Sequence, residues 1–260
     1  MLAIANQKGG VGKTTTAVNL ATSLAENGQR VLVIDFDPQG NASTGFGIES
    51  AARTTTAYDV IVGEARLREA IIATEVERVE LVPSTVDLSG AEVQLLQHKR
   101  RAYVLRDALA ELDDTSDTIL IDCPPSLGTL TVNALVAADA VLVPLQCEFF
   151  ALEGLSLLVR TIERVRAGFN RGLHIYGILL TMYDKRNKLS EQVAADVRGF
   201  LGSRVFETVI PRNVRVSEAP SHGKPVLLYD RTSMGAIAYT ALAAEILKRE
   251  QASPVVRASR

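Results

Sequence analysis

The chain has no tryptophan, and aromatic residues make up only 5% of its 260 positions. A core short of large rings must rest on Leu, Val, Ile and Ala, as where parallel strands are covered by helices on both faces. Cysteine is equally scarce. Cys123 and Cys147 lie far apart in apolar settings and form no C-x-x-C pair. That excludes a disulfide framework and a Cys-based metal site, leaving two packed, unreactive thiols. No apolar run approaches the roughly 18–20 residues that span a bilayer. The first residues form a short strand-like run leading straight into glycines, unlike a secretory leader, so a cytoplasmic protein is expected. His98, His174 and His222 form no cluster and are read as structural. Neither sign of charge dominates, since a net charge of −2 excludes a globally basic nucleic-acid binder.

Charge is nevertheless unevenly spread. Residues 160–224 hold twelve Lys or Arg against six Asp or Glu, whereas the remainder holds sixteen against twenty-four. The short run Lys99-Arg100-Arg101 outside that third is read as a helix-face feature. Strand-like apolar runs at 2–6, 30–35, 79–83, 118–122, 140–145, 175–181 and 205–210 alternate with helical stretches, notably 13–27, 152–167, 190–201 and 233–249. The alternation predicts one α/β domain over 1–250, with a mostly parallel sheet flanked by helices on both faces. A disordered tail is expected over 251–260.

The most informative stretch is Lys8-Gly9-Gly10-Val11-Gly12-Lys13-Thr14-Thr15. A phosphate loop needs small residues so that several backbone N–H groups can turn toward one anion, and a helix start behind them. Lys13 sits where the β- and γ-phosphates need a cation, and the Thr14 hydroxyl where Mg²⁺ needs an oxygen ligand. The common pattern places a Gly six residues before that lysine; here Gln7 stands there. A plain glycine-rich turn is the simpler reading. The strand before, the helix after and Gly-Lys-Thr-Thr in register favour a P-loop NTPase.

Two strands end in acids: 31–35 at Asp35, followed by Asp37-Pro38-Gln39-Gly40-Asn41, and 118–122 at Asp122 in Walker B form. A single strand-end Asp is usually a cap or loop residue. Three beside a phosphate loop suit Mg²⁺ and an attacking water.

The extra lysine, Lys8, gives the loop the deviant Walker A form of the ParA/MinD ATPases. Nearly the whole chain resembles the ParA-type partition ATPases, above all the short chromosomal form called Soj. The most specific stretches are 6–19, 35–47, 122–126 and 210–225. The resemblance implies an ATPase that dimerises with ATP sandwiched between subunits, binds nonspecific double-stranded DNA and lets go after hydrolysis stimulated by a ParB-type centromere-binding protein. It assigns Lys8 a catalytic reach across the dimer and Asp37 the positioning of water. Asp122 becomes the Walker B partner of Mg²⁺, with Asp35 a supporting acid. It sets Pro211 and Asn213 beside the adenine, and gives Lys185, Arg186, Lys188, Arg212 and Arg215 to DNA. Backbone phosphates need cations without base-reading geometry, so such binding should be salt-sensitive. A solvated basic face is the alternative for Arg186 and Arg215. Localisation in the cytoplasm, on the nucleoid, follows from the resemblance; because the sequence starts almost at its first strand, the N-terminal helix-turn-helix of plasmid-type relatives is expected to be lacking.

Two relatives serve as rivals. A MinD-like membrane-cycling ATPase needs a basic amphipathic C-terminal helix with large apolar residues, whereas 238–249 is Ala-rich. An iron-protein-type reductase needs cluster-ligating cysteines, and neither Cys123 nor Cys147 stands where a surface cluster is expected. A nucleotide-gated scaffold without useful hydrolysis differs from the main reading only in turnover, which Asp37 supplies.

Overall fold

Three residues, Leu2–Ile4, form strand β1 at the heart of an eight-stranded sheet. The computed structural model describes residues 1–113 and 116–252. Helix α1 (Lys13–Glu26) leads to β2 (Val31–Asp35), then come α2 (Asn41–Gly45), α3 (Ala57–Val62) and the hairpin-like pair β3 (Ile72–Ala73) and β4 (Val79–Val82). Next are α4 (Leu88–Leu95), α5 (Val104–Leu109), β5 (Thr118–Asp122), α6 (Thr129–Ala137) and β6 (Ala140–Gln146). The C-terminal part adds α7 (Ala151–Gly168), β7 (His174–Tyr183), α8 (Lys188–Leu201) and β8 (Val205–Pro211). It closes with α9 (Val214–Glu218), α10 (Val226–Tyr229) and α11 (Met234–Ala252).

The sheet order is β3-β4-β2-β5-β1-β6-β7-β8. Its described pairings are parallel except that of β3 with β4. Two cores follow from this arrangement. One face of the sheet packs under α1, α10 and α11, around Leu20, Leu24, Phe206, Tyr239 and Leu242. The other packs under α3 to α8, around Ile34, Leu88, Leu105, Leu135 and Leu158. Buried on both faces, β2 and β6 read as continuous apolar runs. The expected class, an α/β fold with a mostly parallel sheet and helices on both faces, is the one observed.

The differences are local. β1 stops at Ile4 because Asn6 already turns out of the ladder to bond Pro144. The two-residue edge strand β3 and the short helices α2 to α6 lack enough length for a readable period. Helix α11 runs to Ala252, so Gln251 and Ala252 of the expected tail are helical; 253–260 lie outside the described residues. Among the described residues no helix is long and apolar enough to cross a membrane.

Candidate nucleotide site and cationic edge

The loop after β1 is built around two left-handed residues, Gly10 (φ 74°) and Gly12 (φ 88°), a conformation glycine adopts without steric cost. Three bonds fix it to its surroundings. Asn6 Nδ2 donates to Pro144 O (2.7 Å), Asn6 Oδ1 accepts from Lys8 N (3.0 Å), and Thr181 Oγ1 of β7 donates to the buried Val11 O (2.8 Å). Helix α1 then starts with no side-chain cap and no acid in its first turn. Its leading N–H groups and its positive end are therefore open to an anion. Lys13 is only 6% exposed, and its Nζ bonds the backbone O of Lys8 (3.0 Å). Burial lowers its pKa, while Asp122 and Asp37 pull it back up. An ammonium held this way, with one carbonyl for company, is set for a negatively charged ligand.

Acids converge on the same end of the sheet. Asp35 and Asp122 pair in register across β2 and β5. Asp122 is fully buried, and neither of its carboxylate oxygens accepts a hydrogen bond. The Thr14 hydroxyl and Lys13 favour its ionised form, but burial and the neighbouring Asp35 outweigh them and hold its pKa well above the carboxylate range. Asp35 is also fully buried, but it is occupied. Its Oδ2 accepts from Ser43 N (2.8 Å) and Ser43 Oγ (2.7 Å), and its Oδ1 from Asp37 N (3.4 Å). Burial still pushes its pKa up to about 6. Asp37, 5% exposed, opens a tight turn in which its Oδ1 accepts from Gln39 N (3.0 Å) and its carbonyl from Gly40 N (2.9 Å).

A second feature lies where β7 and β8 end. Met182 takes φ 50°, the register slips between Leu180 and Tyr183, and Arg212 N donates to Tyr183 O (3.0 Å). That bond fastens the loop of Lys185, Arg186 and Lys188 to the one carrying Pro211, Arg212, Asn213 and Arg215. All five cations are exposed. Arg186 pairs with Asp184 (3.1 Å), and Arg215 with both Glu218 (3.0 Å) and Asp230 (3.3 Å). Lys185, Lys188 and Arg212 make no ion pair among the described residues. Asn213 caps α9, its Oδ1 accepting from Val216 N (3.2 Å).

Residues 1–175 match the family model of an AAA domain. The chain is 61% identical over 253 residues to the chromosome partitioning protein ParA of Caulobacter vibrioides, covering 96% of this chain and 95% of that one. The chain belongs to the ParA/Soj family of chromosome-partitioning ATPases. The sporulation initiation inhibitor protein Soj of Bacillus subtilis is 52% identical over 246 residues, covering 95% and 97% of the two chains. Solved structures agree in fold. A Mycobacterium smegmatis protein described as cobyrinic acid a,c-diamide synthase, with bound ATP analogue and magnesium, superposes with TM-score 0.84 at 39% identity, over 96% and 95% of the chains. The cell division ATPase MinD of Pyrococcus furiosus does so with TM-score 0.79 at 30% identity, over 95% and 98%.

Seen as a ParA/Soj-type site, the acidic cluster can be tested for a metal. Among the described residues there is no group of three or more His, Cys, Asp or Glu able to hold one unaided. A divalent cation here would be held by Thr14 and the orphaned Asp122, with nucleotide oxygens and water completing its shell, and the residues fit that demand. Lys8 is turned toward its own chain and forms an ion pair with Glu148. Both cysteines are buried; the pKa of Cys123 is pushed up strongly and that of Cys147 to about 11, so neither is a reactive thiol.

Several supporting residues escaped the reading of the sequence. Ser43 holds Asp35. Arg53 braces the turn after Asp37. Asn19 ties α1 to α10 by donating to Thr15 O (2.7 Å) and accepting from Val226 N (2.7 Å). An Asn inside a helix was the available signal for the last of these. Nothing local distinguishes the other two.

Proposed function

We propose that this chain is a DNA segregation ATPase that dimerises on ATP, holds nonspecific double-stranded DNA and is released when a ParB-type centromere-binding protein stimulates hydrolysis. In this reading Gly9, Gly10, Val11, Gly12, Lys13, Thr14 and Thr15 cradle the phosphates, with Pro211 and Asn213 beside the adenine. Thr14 and Asp122, with Asp35 beside them, would hold Mg²⁺, which would neutralise charge on the phosphates. Asp37 orients water, and its turn fixes the direction of its carboxylate before nucleotide arrives. Lys8 leaves Glu148 and reaches the phosphates of the second copy. The exposed rings of Phe149 (75%) and Phe150 (62%), near the rim of a groove of about 460 Å³ that includes Gln7 and Lys8, suit coverage by that copy.

The observation that carries the reading is the bond between Arg212 N and Tyr183 O. It makes the adenine side and the cationic edge one piece of chain, so a change felt by Asn213 bears on Lys185, Arg186, Lys188, Arg212 and Arg215. Two such edges in a dimer double the phosphate contacts, converting nucleotide state into DNA affinity. The protein would then act in the cytoplasm on the nucleoid. A membrane role is not favoured, because α11 spends Tyr239, Leu242 and Ile246 on the core.

The deciding experiment measures DNA retention against salt with ADP, with ATP and with a non-hydrolysable analogue. Retention with the two triphosphates and not with ADP, falling steeply with salt, is expected. Equal retention in all three states would overturn the nucleotide switch.

A further inference from the structure

Arg53 lies outside every motif read above, in the loop after α2, and makes no ion pair among the described residues. Its half-buried guanidinium instead spends its donors on neutral acceptors. Nε and Nη2 donate to Ile48 O (3.1 and 2.8 Å), Nη1 to Ser84 O (3.0 Å), and Nη2 also to Thr44 Oγ1 (2.8 Å). Four bonds engage all three guanidinium nitrogens, out of five N–H groups that arginine offers. The acceptors belong to the loop entering from α2, to α2 itself and to the segment leaving β4.

They converge on one turn. Thr44 Oγ1 donates onward to Gly40 O (3.1 Å), and Gly40 N closes the turn on Asp37 O. Gly40 is left-handed (φ 63°); a Cβ there would collide with Nη1 of Arg53 and lie 2.8 Å from Ser84 O. The other side of the brace is also closed. Ser84 N donates to Ser43 Oγ (3.1 Å), and Ser43 Oγ to Asp35 Oδ2, whose Oδ1 takes Asp37 N. The turn from Asp37 to Gly40 is thus held at its start by Asp35 and at its end by Arg53.

We propose that Arg53 is a positioning residue for ATP hydrolysis, fixing the turn that aims the Asp37 carboxylate while touching neither nucleotide nor water. The proposal rests on the reading of Asp37 as the water-orienting group. Its chemistry demands the planar fork, because a lysine offers a point charge that cannot bond Ile48, Ser84 and Thr44 together.

The test compares phosphate release and affinity for a fluorescent ATP analogue in Arg53→Ala, Arg53→Lys and Asp37→Ala. Turnover should fall roughly tenfold to a hundredfold in both Arg53 variants, the range expected when a reacting group is misplaced. Affinity for the analogue should stay within about twofold. Free guanidinium ion should restore turnover to Arg53→Ala and not to Asp37→Ala, a rescue that a generally weakened fold would not show. Wild-type turnover in Arg53→Lys, or a loss in Arg53→Ala that guanidinium leaves unchanged, overturns the positioning role alone. Undiminished turnover in Asp37→Ala overturns the underlying reading, and the proposal with it.

Discussion

Asp122 is buried, and its carboxylate oxygens find no hydrogen-bond partner among the described residues. A buried polar group without a partner costs stability. Asp122→Asn removes the titrating group and should therefore flatten the fall of urea stability with rising pH, while Mg²⁺-dependent nucleotide affinity falls. The pH dependence has a definite sign. The folded pKa is raised, so the fold keeps a proton that the unfolded chain releases, and stability declines as pH climbs above the ordinary carboxylate range. Asp35 adds to the same decline between the ordinary carboxylate range and about 6, and contributes a constant penalty above that. Gly9 illustrates the opposite case. It is exposed, its φ is not positive, and a Cβ there would meet nothing within 4 Å in its own chain. Gly9→Val should leave a folded monomer that binds ATP, because a Cβ at this position has open space among the described residues. Light scattering should show ATP-dependent dimers in the wild type and none in the variant.

At the scale of elements, the phosphate loop was legible because its chemistry is local: glycines, Lys13 and Thr14 lie within a few residues of one another. The strands that end in Asp35 and Asp122 were legible for the same reason, as apolar runs meeting an acid. Ser43, Arg53 and the Lys8–Glu148 pair were not, since each depends on a partner brought in by the fold. The cationic edge lay between these extremes. Charge counting found the cation-rich third of the chain but not the carboxylates that already compensate Arg186 and Arg215. In the proposed reading DNA phosphates would compete with Asp184, Glu218 and Asp230 for those two, whereas Lys188 and Arg212 are free of ion pairs among the described residues. In filter retention at low salt, Lys188→Ala and Arg212→Ala should weaken DNA binding more than Arg186→Ala or Arg215→Ala. Arg186→Glu and Arg215→Glu should be worse still, because each sets a new anion beside existing ones, and the salt slope should become shallower. Arg100→Glu, between α4 and α5 and paired with Asp107, is the control and should do much less.

The molecule as a whole is organised around its shortest parallel strand. β1 is flanked by β5 on one side and β6 on the other, and the loop it launches is pinned by Thr181 of β7. A chain ending at residue 113 has neither flanking strand, and should show no nucleotide-dependent protection from protease, in contrast to the full chain.

The central place of β1 also sets a schedule. Synthesis delivers its residues well before their ladder partners, which emerge only with residues 118–122 and 140–146. At about 5–20 residues per second, the apolar start of the chain waits on the order of ten seconds for the neighbours that will cover it. Distant pairings of this kind slow folding and leave unpaired strand edges open to other chains. The segment that becomes the phosphate loop is thus made well before the strands that seat it, so a nascent chain lacks that seat until residue 146 has left the ribosome.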